Sequence, residues 1–238
     1  MPLASEESPS LSHREPSPVT IAERVYAELR EAIVEGRILA GSKISEPELS
    51  RTHGISRASL RDALGRLEAS GLVVRKPNVG ARVVGLSSEG LLEIYAVREA
   101  LEAMSARLAT ENMTDEQIEG LRDLLNDHDA QIASRKGAVY FQKEGDADFH
   151  YRIVLGTGNG RLIGLLGTDL YYIMRMYRYQ FGMQSKRVPK AFVEHEQIVD
   201  AMGRRDAEQA ESLMRYHIRA SRLNVEKMLA EREGDALS

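Results

Sequence analysis

A pair of short helices joined by a glycine, predicted for residues 49–67, constrains the fold of this chain more than any other feature. The first helix ends at Gly54, and the second begins after Ser56, a residue type that caps helix N-termini. The apolar face of the second helix consists of Leu60, Ala63, Leu64 and Leu67. Arg57 and Arg61 lie four residues apart on the opposite face. This pattern is typical of a helix-turn-helix, whose second helix enters the DNA major groove.

The flanking sequence completes a winged helix-turn-helix domain over residues 20–85. A capping box that begins at Thr20 predicts the first helix, and a second box is predicted to begin at Ser45. The hydrophobic period then changes, and two strands are predicted at residues 72–75 and 81–84 with a basic turn between them. The alternative is a small helical domain with an ordinary charged surface. The agreement of caps, turn, arginines and wing in order and spacing favours the winged domain.

Composition limits the remaining choices. The 238 residues include no cysteine, which excludes disulfides, thiolate nucleophiles and cysteine-based zinc sites. No apolar run approaches the ~20 residues that a membrane span needs. Residues 1–19, rich in Ser, Pro and Glu, lack the apolar core of a signal peptide and are predicted to be a disordered tail. We therefore expect a cytoplasmic protein without membrane contacts.

Charge is distributed unevenly along the chain. Residues 20–85 have 11 Lys/Arg and 8 Asp/Glu, whereas residues 86–238 have 20 and 25. A basic head on an acidic body is consistent with nucleic-acid contact through the head.

The remaining sequence, residues 88–232, predicts about six antiparallel helices around one core. The fold class is therefore mostly α, with an N-terminal winged helix-turn-helix and a C-terminal all-α bundle. The third body helix is predicted to include residues 141–155, and the fourth to span residues 162–181. The predicted inward stripe of the first body helix consists of Ile94, Val97, Leu101, Met104 and Leu108.

Three histidines lie within apolar stripes of three different body helices: His150, His195 and His217. Asp146 lies four residues before His150 and shares its helix face. A buried carboxylate beside imidazoles needs a positive partner, which a divalent cation supplies. One oxygen and three nitrogen donors suit Zn, Ni, Mn or Fe. Spacing alone leaves open the alternative of three unrelated core histidines.

Further candidates concern a bound ligand. Arg98 lies on the inward side of its helix and needs an anionic partner, either a ligand carboxylate or a Glu in a bidentate pair. Residues 170–181 concentrate Tyr, Met and Arg; Arg175 is predicted to face a pocket, and the tyrosines to face solvent or a second subunit. Asp148 is predicted to point away from the metal site. His128 is predicted to be packed or half-exposed.

The head resembles the GntR family of bacterial transcription regulators. The matching pieces are Ala40-Gly41, residues 44–49, residues 56–64, residues 67–73 and the wing at residues 75–80. The resemblance implies base contacts by Arg57 and Arg61, phosphate contacts by small polar residues, and entry of the wing tip into the minor groove. The implied DNA-binding residues are Ser56, Arg57, Ser59, Arg61, Arg66, Lys76, Asn78 and Gly80. Ala58 stands where the family usually has Thr, so the operator sequence does not transfer from relatives.

The body is similar to the FCD ligand-binding domain of the FadR branch of this family, over about residues 90–230. The matching pieces are Val97–Glu102, Asp146–His150, Gly158-Asn159, Glu194–Ile198 and His217-Ile218. The resemblance implies that Asp146, His150, His195 and His217 hold a metal at the bottom of an effector pocket. All four residues are present, which argues against the metal-free acyl-CoA-binding members. Six helices resemble the shorter VanR-type bodies.

These expectations combine into a metabolite-responsive transcription factor, most often a repressor in this family. A homodimer would bind a palindromic double-stranded operator. A small carboxylate or hydroxy-acid effector would bind at the metal, with Arg98, Arg175 and Asn159 as the candidate effector-binding residues. One alternative is a metal-dependent hydrolase with a DNA-binding head, although no nucleophile motif or general base is evident. In another alternative the metal is structural or is itself the signal.

Overall fold

The computed structural model describes residues 20–76, 80–134, 148–177, 179 and 187–236, with only the backbone described at 129–134, 168–169, 188 and 232–236. The predicted tail and two predicted site residues, Asn78 and Asp146, lie outside these ranges.

The head has three helices and a small sheet, as predicted. Its elements are α1 (Ile21–Val34), β1 (Lys43–Ile44), α2 (Glu46–His53), α3 (Arg57–Ala69), β2 (Val73–Lys76) and β3 (Gly80–Val83). The sheet is antiparallel in the order β1-β3-β2, with Arg82 opposite both Lys43 and Val74. The two wing strands begin within one residue of the predicted positions. The short strand β1 was not predicted, because two residues carry no readable alternation.

Local sequence explains most helix ends in the head. Thr20 and Glu23 form the predicted capping box at the start of α1. Ser45 precedes α2 but makes no side-chain cap hydrogen bond, so the second predicted capping box is wrong. Gly54 ends α2 with φ of 62°, a left-handed conformation that favours glycine. Ser56 then accepts a hydrogen bond from the Ser59 backbone N–H and starts α3.

The head core is built around α3. Leu60, Leu64 and Leu67 are fully buried, and α1 packs its own buried Val25, Leu29 and Ile33 against this face. Burial of these leucines fixes the rotation of α3 and holds Arg57 and Arg61 on its outer side.

The body is helical throughout its described residues. Its elements are α4 (Ser88–Asn112), α5 (Asp115–Ser134), α6 (Phe149–Gly156), α7 (Gly160–Gly164), a π-helical segment (Leu165–Asp169), α8 (Tyr171–Tyr177), α9 (Val188–Gly203) and α10 (Ala207–Ala236). The long helices α4 and α10 run antiparallel and are joined by ion pairs at both ends of their contact, Arg107 with Glu211 and Glu99 with Arg219. If α7, the π-helical segment and α8 are taken as one interrupted helix, these described ranges contain the six helices predicted.

Two predicted body helices differ from the structure. The helix predicted for residues 162–181 is broken, because the π-helical segment separates α7 from α8. The third helix begins at Phe149, where the Asp148 side chain caps it, and the earlier part of its predicted range lies outside the described residues.

The predicted inward stripe of α4 is not the buried face of the helix: Ile94, Leu101 and Leu108 are only half-buried. Val97 and Met104 are 41% and 40% exposed, and the residues that line the inward face include Leu91, Tyr95 and Ala106. The prediction was wrong because α4 is apolar on both faces, so periodicity alone could not say which face meets the core.

Helix α8 connects the body with the head. It packs against α1, where the Arg30 guanidinium lies 4.6 Å from the centre of the Tyr172 ring. The Tyr177 hydroxyl lies 3.4 Å from both the backbone N and O of Ser87, the N-cap residue of α4. Within the described ranges, no helix is both long and apolar enough to span a membrane.

Candidate DNA-binding surface and metal centre

The first turn of α3 presents polar side chains on the outside of the head. Ser56, Arg57 and Arg61 are exposed, and Ser59 is half-buried. The Oγ atoms of Ser56 and Ser59 lie 2.9 Å apart. The Arg61 side chain is 68% exposed, with its Nε atom 3.7 Å from a Glu46 carboxylate oxygen. An exposed ion pair of this kind contributes little free energy, so Arg61 can leave Glu46 and contact a phosphate or a base edge at little cost.

The wing contributes further cations next to α3. Lys76 and Gly80 are exposed at the two ends of the wing turn. Arg75 was not among the predicted residues, yet its guanidinium donates a hydrogen bond to the Arg61 carbonyl oxygen at 3.0 Å. Arg66 is exposed, and its guanidinium lies 4.2 Å from the centre of the Tyr26 ring. Arg75 therefore connects the wing to α3 by a hydrogen bond. The sequence feature that could have identified it is its place in the predicted strand β2, next to Lys76.

Three imidazoles meet inside the body, as their positions on apolar stripes predicted. His150 from α6, His195 from α9 and His217 from α10 are buried, and each offers a potential metal-ligating atom within 4.8 Å of the other two. The Nε2 atoms of His195 and His217 lie 3.2 Å apart. We call these three residues the histidine cluster.

Carboxylates lie beside two of these rings. His217 Nδ1 forms a hydrogen bond with a Glu194 oxygen at 2.7 Å, whereas His150 Nδ1 lies 2.7 Å from a Glu102 oxygen without hydrogen-bond geometry. Arg187 donates to the same Glu194 oxygen at 2.6 Å. A carboxylate on one ring nitrogen fixes the tautomer and leaves the other nitrogen available as a metal ligand.

Electrostatics favours the neutral form of two of the rings. Burial lowers the pKa of His195 and of His217 well below the ordinary histidine value, and the neighbouring imidazoles lower both further. Although burial alone would raise the pKa of Glu102, Arg98 and His150 hold it well below the ordinary value, so Glu102 is ionised. Neutral His195 and His217 are in the protonation state that a divalent cation requires of imidazole ligands.

The donor set fits a divalent cation. The ring of Phe149 stacks on His195 at 4.2 Å between centres, and His195 Nδ1 is buried without a hydrogen-bond partner among the described residues. Three nitrogen donors in this arrangement match Zn, Ni, Mn or Fe better than oxygen-seeking Mg or Ca.

Two of the three predicted effector residues are buried, and the third is exposed. Arg98 is buried, and its Nε donates a hydrogen bond to Glu102 at 2.6 Å. Of the two anionic partners predicted for Arg98, a ligand carboxylate or a Glu, the structure therefore shows the Glu. Arg175 is also buried, with its guanidinium 5.9 Å and 5.7 Å from the ring centres of Tyr171 and Tyr179. Asn159 is exposed and caps α7, so the structure does not bring its side chain to the histidine cluster.

A small cavity adjoins the cluster. Its volume is about 10 Å³, and its lining consists of Glu102, Asp148, His150, Tyr151, Val154, Leu166, Tyr171 and Met174. Asp148 is fully buried in this wall, where its carboxylate accepts hydrogen bonds from the His150 and Tyr151 backbone N–H groups and caps α6. Tyr171 and Tyr177 are buried, contrary to the expectation that the tyrosines of this segment face solvent or another subunit.

Sequence reasoning missed the carboxylates that hold the rings. Glu102 lies one helical turn after Arg98, and Glu194 directly precedes His195, so both positions were readable as partners of the cluster. His128 is buried, which is the packed alternative of its prediction, and its proximity contributes to the lowered pKa of His195.

Comparison with known proteins gives the family. The bacterial regulatory proteins of the gntR family match residues 21–83, and the FCD domain matches residues 93–220, more than half of the chain. The chain belongs to the GntR family. It is a DNA-binding transcriptional regulator with an FCD domain, and both matched families and the similar proteins are regulators rather than enzymes.

Several relatives resemble this GntR-family protein over most of their length. The "Probable D-xylose utilization operon transcriptional repressor" of Paenarthrobacter nicotinovorans is 28% identical, with 84% of this chain and 87% of the relative covered. The gluconate operon transcriptional repressor of Bacillus licheniformis is 30% identical, with coverages of 74% and 70%. The fold is that of a GntR regulator from Rhodococcus sp. RHA1, with a TM-score of 0.67 and 21% identity over 86% of this chain and 96% of that one. The structure of Escherichia coli McbR/YncC matches with a TM-score of 0.69 and 19% identity, over 89% of this chain and 99% of that one.

Proposed function

We propose that this GntR-family regulator binds a palindromic operator as a homodimer and that a small carboxylate or hydroxy acid, bound at a divalent metal in the body, changes its operator affinity. The observation that carries the proposal is the convergence of three buried imidazoles beside a cavity whose wall is shared with α8. As a regulator of bacterial transcription, it would act in the cytoplasm.

The histidine cluster would hold the metal. His150, His195 and His217 supply the nitrogen donors, and the family pattern assigns Asp146 as the oxygen donor. When bound, a divalent cation supplies positive charge that attracts an anionic oxygen of the effector. Glu102 and Glu194 keep two of the imidazoles oriented towards it.

The cavity supports a ligand-induced change rather than a preformed pocket. About 10 Å³ is the room of a single water molecule, so an organic acid enters only if the cavity wall moves. Met174 and Leu166 form part of that wall, and a flexible methionine side chain adapts to ligand shape. Two buried cations lie beside residues of the wall: Arg98 pairs with Glu102, and Arg175 lies 5.9 Å from the centre of the Tyr171 ring. Arg98 would therefore have to exchange its Glu102 contact for an incoming carboxylate.

Helix α8 provides a route from the cavity to the head. Tyr171 and Met174 line the cavity, whereas Tyr172 contacts Arg30 of α1, and Tyr177 contacts the start of α4. A shift of α8 that enlarges the cavity would therefore change its contacts with the head. Such a shift alters operator affinity only if the ligand binds the two arrangements with different free energies.

Relatives suggest the ligand class. Two of them are named for operons of D-xylose utilization and of gluconate. Gluconate is a polyhydroxylated carboxylate, and such a molecule offers a carboxylate and an adjacent hydroxyl to a metal with open positions. Sugar acids and short hydroxy acids are therefore the first compounds to test.

The test is a thermal-shift screen of Zn²⁺-loaded protein against sugar acids, hydroxy acids and simple carboxylates, with a chelator-treated sample beside each. The expected result is a stabilising compound whose effect disappears on chelation and in His195→Ala. The same compound should change the affinity for DNA that the wild-type protein selects from a random pool. A compound that stabilises chelated protein and His195→Ala equally well would contradict binding at the metal.

A second candidate, in which the metal itself is the signal, is favoured by the size of the cavity, since the cavity admits no organic ligand as it stands. Titration of Zn²⁺, Ni²⁺ or Mn²⁺ into chelated protein should then change operator affinity without any organic compound. An affinity that stays constant across the titration would exclude this version.

A further inference from the structure

Gly65 lies in the interior of α3, where glycine is less favourable than alanine. The space beside it is occupied by a side chain of the wing. A Cβ atom built at Gly65 would lie 3.3 Å from the Nη2 atom of Arg75, closer than an ordinary van der Waals contact. The glycine therefore leaves an opening through which an arginine of β2 approaches the α3 backbone.

Arg75 is attached to α3 near two residues. Its Nη2 atom donates a hydrogen bond to the Arg61 carbonyl oxygen at 3.0 Å. Its backbone N–H donates to one oxygen of the Glu68 carboxylate at 3.2 Å, and its Nε atom lies 3.3 Å from the other oxygen. Residues 61 and 68 are about 10 Å apart along the axis of an α-helix. Two attachments this far apart fix an angle as well as a distance.

Arg75 lies where the three-stranded sheet of the head ends and the wing tip begins. It pairs with Ala81 of β3, and the pairing of β1 with β3 covers only Ala81 and Arg82. Among the described residues, the wing beyond these pairs is a ribbon of two strands. Such a ribbon is marginally stable by itself and twists strongly. Contacts at this position are therefore well placed to fix the direction of the wing tip.

We propose that Arg75 is a positioning residue for DNA recognition, which fixes the angle between the wing and α3 by reaching the α3 backbone through the opening at Gly65. The inference rests on the predicted DNA contacts of α3 and of the wing, such as those of Arg57 and Lys76. In that prediction α3 and the wing tip enter different grooves, so both sets of contacts form together only at one angle. A wing that is held at this angle before binding loses less conformational freedom on DNA.

Glu68→Ala separates this role from a direct phosphate contact of Arg75, because the two roles predict opposite effects. The substitution makes the head more positive, so an Arg75 that contacts DNA directly would bind as tightly as before or more tightly. A positioning Arg75 loses one of its attachments, and the affinity for DNA selected by the wild type should fall about tenfold, the size of one lost charge-assisted contact. Fluorescence anisotropy at fixed salt gives the affinities.

The control for this variant is Glu31→Ala, which removes the same charge from an exposed site on α1. Its affinity for DNA should be at least that of the wild type. Wild-type or tighter binding in Glu68→Ala would overturn the positioning role.

Gly65→Leu tests the role without a change of charge. A leucine side chain in a helix points back over the preceding turn, which here contains the Arg61 carbonyl, so it would displace the guanidinium. Affinity should fall by a similar factor in Gly65→Leu and in Arg75→Gln, and no further in the double variant, because both changes break the same contact. Gly203→Leu, at an exposed glycine 3.5 Å from the Arg122 guanidinium in the body, is the matched control. Losses that multiply in the double variant would overturn the link between Gly65 and Arg75.

Base preference gives a readout that a general loss of structure would not produce. In selection from a random DNA pool, Arg75→Gln should keep the preferences at the positions that α3 reads. It should lose the A·T or G·C preference at the positions next to the wing, since the minor groove distinguishes mainly these two classes. Helical circular dichroism should remain that of the wild type. An equal loss of preference at all positions would contradict a role confined to the wing.

Two further variants separate failure of this proposal from failure of the predicted DNA surface. Wild-type affinity in both Arg57→Ala and Lys76→Ala would overturn the surface, and the role of Arg75 with it. Weakened binding in those two variants, together with wild-type affinity in Gly65→Leu and Glu68→Ala, would overturn the role of Arg75 alone.

Discussion

At the scale of single residues, the candidate metal centre depends on carboxylates that do not themselves face the metal. Glu194 forms a hydrogen bond with His217 Nδ1 at 2.7 Å, and a Glu102 oxygen lies 2.7 Å from His150 Nδ1. Each carboxylate also pairs with a buried or half-buried arginine, Arg98 or Arg187, which fixes its own position. The orientation of the histidine cluster is therefore set by two ion-paired carboxylates as well as by packing.

Glu194→Gln tests this arrangement. The amide keeps the shape of the side chain but loses the charge that holds His217 and Arg187, so Zn²⁺ affinity should fall about 10–100-fold. Competition with a chromophoric chelator measures the affinity. Glu196→Gln, exposed on the same helix, is the control and should bind Zn²⁺ as the wild type does. Equal affinities in the two variants would remove Glu194 from the site.

The buried histidines also predict how stability depends on pH. The pKa values of His195 and His217 are lowered in the folded protein, so below about pH 6.5 the unfolded chain takes up protons that the folded chain does not. The free energy of unfolding of chelated protein should then fall with decreasing pH, by up to about 1.4 kcal/mol per pH unit for each histidine. Urea unfolding at pH 7.5, 6.5 and 5.5 measures this slope. His195→Gln should make it shallower, and an unchanged slope would contradict the assignment.

On the DNA-binding surface, Arg57→Ala and Arg61→Ala should each weaken specific binding by roughly 1–3 kcal/mol and leave the melting temperature nearly unchanged. Both side chains are exposed, so their removal creates no cavity. Fluorescence anisotropy at fixed salt, on DNA selected by the wild-type protein, gives the affinities. Lys227→Ala removes a cation that is 77% exposed on α10 and serves as the control. Wild-type affinity in both arginine variants would rule out α3 as the recognition helix.

At the scale of elements, the buried face of a helix could be predicted only where the helix has a single apolar face. The outer face of α3 could be predicted because Leu60, Leu64 and Leu67 occupy one side only. The orientation of α4 could not, since Val97 and Met104 repeat as regularly as the buried Leu91 and Tyr95. The break between α7 and α8 was missed because isolated glycines, here Gly164 and Gly167, are tolerated inside a helical pattern and do not mark a π-helical segment.

The histidines of the candidate metal centre could be predicted from the sequence, but not all of their surroundings. His150, His195 and His217 were found because histidine is conspicuous on an apolar stripe, and the structure brings them together. The buried position of Asp148 was not found, because it depends on where α6 begins, and helix ends are the part of a pattern that sequence specifies least.

The position of α8 between cavity and head gives a prediction at this scale. Adding Zn²⁺ to chelated protein should slow amide hydrogen exchange in α1 as well as around the histidine cluster, because Tyr172 packs on Arg30. Tyr172→Ala should remove the effect in α1 while keeping Zn²⁺ affinity. Tyr216→Ala, which removes a 63% exposed tyrosine from α10, is the control. Exchange in α1 that never responds to Zn²⁺ would contradict coupling through α8.

At the scale of the whole molecule, the proposed homodimer would set the geometry of the operator through one α3 helix on each subunit. Two recognition helices related by a two-fold axis reach half-sites about one helical turn apart, because only then do both major grooves face the protein. The −4 net charge of the chain gives no general attraction to DNA, so in the proposed homodimer affinity would depend on simultaneous placement of two basic heads.

Inserting five base pairs between the half-sites of a selected operator therefore tests the assembly directly. The second half-site turns to the opposite side of the duplex, and the affinity should fall at least tenfold, towards that of a single half-site. An affinity that ignores the insertion would mean that each subunit reads DNA alone, and the symmetric operator would then have no role in recognition.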